Sequence, residues 1–125
     1  KVILPQEIEV WYMLPAIRKE FAVAFIGLGL SQREIAGILG VTEAAVSQYK
    51  KEKRAMKVEL GDNITREIKK SAERLVDGKR NAFSEIMAIN ELAKKSGVFC
   101  KIHRSKSATP ENCEAVCGKH FFKGG

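Results

Sequence analysis

The stretch of residues 31–54 constrains the fold more than any other part of the sequence, because it holds the start and stop signals of two short helices in close succession. Ser31 precedes Glu34 by three residues, which is the spacing of a capping box at a helix N-terminus. Gly40 supplies the left-handed residue that ends this helix. Thr42 is a favoured N-cap residue, so it predicts that a second helix begins directly after it.

Two helices joined by so short a turn must cross steeply and touch closely. Ala36 is small where the second helix, predicted over residues 43–51, packs against the first. The residues that face the crossing by helical spacing are Ile35, Leu39, Val41 and Val46. The polar residues of the second helix then face outward: Glu43, Ser47, Gln48, Lys50 and Lys51.

This segment resembles a helix-turn-helix of the lambda-repressor/Cro type, whose small residue, turn glycine and later β-branched residue occur here as Ala36, Gly40 and Val46. The resemblance implies that the second helix enters the major groove of double-stranded DNA while the first lies across the backbone. The resemblance implies contacts to the edges of the bases from Thr42, Glu43, Ala44, Ser47, Gln48 and Lys51. Those better placed for phosphates are Ser31, Gln32, Lys50, Lys53 and Arg54. The alternative is a helical hairpin that merely packs, which would not need so polar and basic an outward face.

The implied contacts follow the hydrogen-bonding patterns of the bases. Gln48 can bind adenine bidentately, Lys51 can reach guanine, Glu43 can accept from cytosine, and Ala44 can touch a thymine methyl. One recognition helix covers only a few base pairs, so we expect a homodimer on palindromic half-sites about 34 Å apart. The dimer surface is left open between the first two helices and the fifth and sixth. The apolar group Trp11, Tyr12 and Met13 is either core, the slightly favoured interpretation, or dimer contact.

Charge and composition are consistent with a polyanionic partner. Lys and Arg number 22 against 15 Asp and Glu, which gives a net charge of +7, and the excess begins at Lys50 and continues to Lys106. The alternative is an ordinary solvated basic surface. The longest apolar stretch falls short of the roughly 18–20 residues that span a bilayer, and no signal-peptide pattern opens the sequence. We therefore expect no membrane association and a cytoplasmic protein.

The glycine and proline residues elsewhere in the sequence divide it into helices, which predicts an all-α fold. The expected architecture is a helix-turn-helix helical bundle with a loop-rich C-terminal Cys/His metal-binding tail. Pro5 opens a short first helix, and Pro15 suits the first turn of a second one that ends at Gly27 and Gly29. The expected division is 1–60 for the helix-turn-helix domain, 61–97 for a helical dimerisation or linking region, and 98–125 for the tail.

Two helices are predicted in the linking region. The fifth begins at a cap on Asp62 or Asn63 and ends at Asp77-Gly78. Its expected apolar face is Ile64, Ile68, Leu75 and Val76. The sixth runs over residues 81–95, and its expected face is Phe83, Ile86, Met87, Asn90 and Leu92.

The tail contains all 3 cysteines, in the pattern C-x2-H-x9-C-x3-C formed by Cys100, His103, Cys113 and Cys117. Thiolates and a neutral imidazole suit one zinc ion or an iron–sulfur cluster. The extra residue in the second pair departs from the usual zinc spacing. A regulator this small would most simply sense redox or metal state through the centre itself, which slightly favours iron–sulfur. Free cysteines in a flexible tail are the alternative.

A terminal Cys/His cluster after such a helix-turn-helix resembles a group of archaeal predicted transcriptional regulators. The resemblance implies a sequence-specific regulator, and direct blocking of a promoter makes repression the expected direction. The alternative is an interaction module, either an antitoxin or an RNA-binding adaptor, with a structural zinc. A metalloenzyme is the least favoured interpretation, because a catalytic metal keeps an open coordination position and a general base nearby. The tail instead offers four protein ligands and no carboxylate–histidine pair beside them, with Glu111 and Glu114 as the only candidates. We therefore expect no enzymatic activity and no small-molecule substrate.

Overall fold

Every regular element in the described part of the chain is helical. The computed structural model describes residues 4–51, 60–78 and 80–106. In chain order its elements are α1 (Pro5–Ile8), a π-helical segment (Glu9–Met13), α2 (Leu14–Gly27), α3 (Gln32–Leu39), α4 (Glu43–Lys51), α5 (Asp62–Val76), α6 (Ala82–Lys95) and α7 (Val98–Lys106). The prediction of an all-α fold is confirmed for these ranges. None of the described helices combines the length and the apolarity needed to cross a membrane.

The predicted short helix at Pro5 and the predicted second helix with Pro15 in its first turn are both confirmed, but a π-helical segment that was not predicted joins them, so the chain stays helical from Pro5 to Gly27. The backbone N–H of Leu14 donates to the carbonyl of Glu9, five residues back, which is the wider spacing of a π-helix. Pro15 follows as the second residue of α2. A proline ring crowds the preceding turn and has no N–H to donate, and a wider turn directly before it accommodates both effects without a break.

Helix α2 is the centre of the hydrophobic core. It packs against the π-helical segment and against α3, α4, α5 and α6. Ile17, Phe21 and Phe25 on α2 are fully buried, and the rings of the two phenylalanines lie 6.1 Å apart. The same core cluster contains Ile68 of α5 and Phe99 of α7, so it takes residues from all three segments that the sequence divides.

Helix α5 begins without a side-chain cap, one residue before the predicted start. Gly61 is its N-cap residue, with φ 88°, and no side chain caps the helix. The predicted cap on Asp62 or Asn63 was therefore wrong. The buried face is Ile64, Ile68, Ser71, Ala72 and Leu75, whereas Val76 is 46% exposed. The predicted stop at Asp77-Gly78 is confirmed by the positive φ of 74° at Gly78.

Helix α6 has the predicted bounds but turns a different face to the core. Asn81 caps it by accepting from the backbone N–H of Ser84 at 2.8 Å. The buried residues are Glu85, Ile89, Asn90, Ala93 and Lys94. Phe83 is 75% exposed, Met87 53% and Leu92 39%, so three of the residues that we predicted to face inward do not. Glu85 can be buried because the Ser71 hydroxyl donates to its Oε1 at 2.7 Å and Arg74 Nε at 2.8 Å.

A buried polar cluster ties the beginning of the chain to α6. Lys94 Nζ lies 2.7 Å from Glu9 Oε2, and Asn90 Nδ2 donates to the same oxygen at 2.5 Å. Both Asn90 and Lys94 are over nine-tenths buried, so the carboxylate is held in low-dielectric surroundings by a charge and a hydrogen bond together. Next to this cluster, Met13 is fully buried and Tyr12 packs against the core, while Trp11 is 50% exposed.

Candidate nucleic-acid interface

The start of α3 is fixed by the capping box that the sequence predicts. The Ser31 hydroxyl accepts from the backbone N–H of Glu34 at 3.1 Å, and Glu34 Oε1 accepts from the backbone N–H of Ser31 at 2.9 Å. The bond from the Ser31 backbone, together with the Ser31 hydroxyl, lowers the pKa of the Glu34 carboxyl. The box therefore keeps a negative charge at the positive end of α3, where it is favourable.

The turn between α3 and α4 also has the predicted conformation. Gly40 adopts φ 69° and ψ 34°, and the N–H of Val41 donates to the carbonyl of Ala36 at 3.1 Å. The Thr42 hydroxyl then accepts from the N–H of Ala45 at 3.0 Å, which caps α4. The left-handed stop at Gly40 and the cap on Thr42 are both confirmed.

Buried apolar side chains fill the crossing of α3 and α4. Ile35 and Val46 have no exposed surface, and Ala36 and Leu39 are 7% and 8% exposed. Helix α2 packs against both α3 and α4, so the pair rests on the helix at the centre of the hydrophobic core. Burial of the larger three, Ile35, Leu39 and Val46, contributes about 1.5–3 kcal/mol each, which fixes α4 relative to the core.

One face of α4 is left open to solvent. At roughly 3.6 residues per turn, successive side chains are about 100° apart, and the predicted contact residues of α4 form a continuous arc of about 160°. They are Glu43, Ala44, Ser47, Gln48, Lys50 and Lys51, all exposed except Ser47, which is half-buried. Outside this arc, Val46 is fully buried and Tyr49 is partly buried against the core. An exposed polar arc on a firmly seated helix can contact another molecule without rearrangement of the fold.

Gln32 has a contact that the sequence did not indicate. Its Nε2 donates to the backbone carbonyl of Glu43 at 2.8 Å, and thereby joins the first turn of α3 to the first turn of α4. We predicted Gln32 as a phosphate contact only. Because the acceptor is a backbone carbonyl, no pattern of residue types could have revealed the bond. Gln32 therefore helps to set the angle between the two helices.

Both signs of charge occur on the exposed surface of α3 and α4. Arg33, Lys50 and Lys51 are positive, and Glu34 and Glu43 are negative. The two lysines form the last turn of α4, while both carboxylates lie in the first turns of their helices. The predicted phosphate contacts Lys53 and Arg54 lie outside the described residues.

The first ligand pair of the predicted metal site lies on a helix rather than in a loop. Helix α7 covers Cys100 and His103, so the prediction that the loop-rich tail starts at residue 98 was wrong. Phe99 and Ile102 explain the helix, because with Cys100 and His103 they form a buried stripe that packs on α6, α1 and the π-helical segment. The sequence signal for this helix is the helical spacing of Phe99, Cys100, Ile102 and His103.

The described residues hold only half of the predicted ligand set. Cys100 and His103 are one helical turn apart, and they are 2% and 6% exposed. Cys113 and Cys117 lie outside the described residues. Within the ranges that the structure describes, no three His, Cys, Asp or Glu side chains are arranged to hold a metal ion.

Comparison with known proteins gives no relative. The chain matches no family model, no curated protein and no solved structure. The resemblance of residues 31–54 to a helix-turn-helix of the lambda-repressor/Cro type therefore stays a prediction, carried by the residues and by the geometry of α3 and α4.

Proposed function

We propose that this protein is a homodimeric, sequence-specific DNA-binding transcription regulator that acts as a repressor. The observation that carries the proposal is the exposed polar arc of α4, on a helix whose other side is fixed by fully buried Val46. A recognition helix must be held rigidly and must present short polar groups to the edges of the bases. The net charge of +7 supports a polyanionic partner.

Within this proposal, the exposed residues of α3 and α4 take distinct roles. Gln48 and Lys51 lie exposed on the arc and read adenine and guanine. Glu43 and Ala44 read cytosine and thymine from the first turn of α4. Phosphate contacts come from Ser31 at the start of α3 and from Lys50 in the last turn of α4, and they give affinity without sequence information.

Selection from random duplex DNA tests the proposal directly. Enrichment of a palindrome is expected, with half-sites about one helical turn apart. The variants Gln48→Ala and Lys51→Ala should each lose roughly 1–3 kcal/mol of binding free energy on the enriched site and much less on unrelated duplexes. Lys69→Ala, which removes an exposed lysine from α5, serves as the control for a mere change in charge.

Two outcomes would contradict the proposal. If Lys51→Ala weakened binding to all duplexes equally, as Lys69→Ala does, and Gln48→Ala showed no preference for the enriched site, α4 would not read bases. The absence of any enriched site would favour the interaction module, an antitoxin or an RNA-binding adaptor that uses the same fold. Salt dependence does not separate these functions, because every basic protein binds polyanions more weakly as salt rises.

The proposal includes one metal centre on Cys100, His103, Cys113 and Cys117. Cys100 and His103 are three residues apart on one face of α7, which suits a shared metal, and this is the buried face that packs on α6, α1 and the π-helical segment. Their sulfur and nitrogen atoms suit an iron–sulfur cluster, which we favour, or zinc. Metal analysis and a visible absorption spectrum of anaerobically purified protein test this. A colourless protein with stoichiometric zinc would exclude the cluster, and a metal-free protein would exclude the centre.

A further inference from the structure

A half-enclosed recess of about 250 Å³ lies between α2 and α5. Its apolar lining consists of Val23, Ala24, Leu28 and Ile68. Gly27 completes the α2 side without a side chain, and a Cβ at this position would meet no atom within 4 Å. A dry cavity of about 150 Å³ with similar walls holds one benzene molecule, so this recess has room for an aromatic ring with a small polar group at its rim.

Three charged side chains also line the recess, namely Glu20, Lys69 and Glu73. Lys69 and Glu73 are one helical turn apart on α5, a spacing that allows an ion pair. Glu67 and Lys70 of the same helix do form one, at 3.7 Å. Among the residues that the structure describes, however, no ion pair or hydrogen bond engages the side chains of the three that line the recess. Their charged groups are therefore available to a ligand.

The charges and the apolar walls together fit a free amino acid. Such a molecule carries an ammonium and a carboxylate on one carbon, and the recess offers carboxylates on Glu20 and Glu73 and an ammonium on Lys69. Apolar walls with a few polar groups that fix the orientation are the usual form of a small-molecule site. A purely apolar ligand would leave all three charges without a partner.

The local charge also argues against a polyanion at this place. Two carboxylates face one ammonium here, whereas the chain as a whole has a net charge of +7. The recess is thus a locally acidic spot on a basic protein, which disfavours the phosphates of a nucleic acid. None of the predicted DNA contacts of α3 and α4 lines it.

We infer that the recess between α2 and α5 is a binding site for a free amino acid with an apolar side chain. The side chain of the ligand packs against Val23 and Ile68, its ammonium lies at Glu20 and Glu73, and its carboxylate lies at Lys69. The inference goes beyond the proposed function, because it adds a second class of ligand at a separate place. Since α3 and α4 also pack on α2, the bound amino acid lies against the helix that supports the candidate nucleic-acid interface.

Isothermal titration calorimetry on the full chain with four probes tests the site. L-Phenylalanine should bind with a dissociation constant below about 1 mM. The matched analogues are 2-phenylethylamine, which lacks the carboxylate, and 3-phenylpropionate, which lacks the ammonium. Each should bind at least about tenfold more weakly, because one hydrogen-bonded charge is lost. Glycine, which has both charges and no side chain, should show no measurable binding.

Two variants place the binding in this recess. Gly27→Leu puts a side chain into the space beside Gly27 and should abolish binding of L-phenylalanine, with an unchanged circular dichroism spectrum as the check on folding. Glu73→Gln should weaken L-phenylalanine and 2-phenylethylamine but leave 3-phenylpropionate unchanged. The matched control is Glu67→Gln, the same substitution on the same helix at a residue that does not line the recess, and it should bind like the native chain.

Several results would overturn the inference. If L-phenylalanine did not bind, or if the three aromatic probes bound equally, the recess would not recognise an amino acid. If a folded Gly27→Leu variant bound like the native chain, or if Glu67→Gln weakened binding as much as Glu73→Gln, the ligand would lie elsewhere. None of these titrations contains DNA, so their failure would leave the proposed function standing, and the absence of selective DNA binding would leave this site standing.

Discussion

Two glycines of the α3 region should respond to alanine in opposite directions. Gly40 adopts φ 69°, in the left-handed region, whereas Gly37 lies in the interior of α3. A Cβ at either position meets no atom within 4 Å, so neither substitution creates a clash and only backbone conformation decides the result. This pair therefore tests whether the turn before α4 has the left-handed conformation on which the recognition geometry depends.

The magnitudes follow from conformational free energies. Left-handed backbone costs a residue with a Cβ about 1–2 kcal/mol, and reduced freedom of the unfolded chain returns about 0.4–1 kcal/mol of this. Gly40→Ala should thus lower the free energy of unfolding by about 1 kcal/mol. Gly37→Ala should raise it by roughly 0.5–1 kcal/mol, because alanine is the better helix former.

Urea denaturation at one low protein concentration, followed by circular dichroism, measures both changes. The low concentration keeps any dimer contribution small, because self-association adds apparent stability. Gly40→Asn is the control, since asparagine tolerates the left-handed region better than alanine and should recover part of the loss. If Gly40→Ala were neutral or stabilising, the left-handed turn, and with it the crossing angle of α3 and α4, would be refuted.

Three further perturbations test other parts of the structure. Burial raises the pKa of Glu85, but bonds from Ser71 and Arg74 outweigh it and leave that pKa lowered. The ionised Glu85 carboxylate therefore stabilises the fold fully above the ordinary carboxyl pKa of about 4.3, and this contribution is lost as pH falls through the lowered value. Glu85→Gln should accordingly destabilise the protein at pH 7 by about 1.5–3 kcal/mol and much less near pH 3. A pH-independent difference in urea denaturation would contradict this. Gln32→Ala should cost about 0.5–1.5 kcal/mol of stability by the same assay, and no loss would mean that the bond to Glu43 does not form in solution. Cys100→Ala should cost about 1 kcal/mol as a core change and should also abolish stoichiometric metal, and metal retained in full would remove Cys100 from the ligand set.

The helices around the candidate site could be predicted closely because their ends are encoded locally. Ser31, Gly40 and Thr42 each act within a few residues of the chain, through hydrogen bonds or through backbone conformation. The continuous helix through Pro15 could not be predicted in the same way. Proline favours the first turn of a new helix, and Pro15 lies there in α2, but only the structure shows that a π-helical segment at Glu9–Met13 joins α2 to α1 without a break. The bond from Gln32 to a backbone carbonyl likewise leaves no trace in the sequence.

The error in α6 has a physical cause. Helical periodicity identifies residues that avoid water, but it does not say whether they are covered by the same chain or by another. Glu85, Asn90 and Lys94 turn inward because Ser71, Arg74 and Glu9, all distant in sequence, satisfy their polar groups. Phe83 and Met87 are thereby rotated outward. The apolar pattern predicted from the sequence therefore marks a face of α6 that the described residues leave exposed.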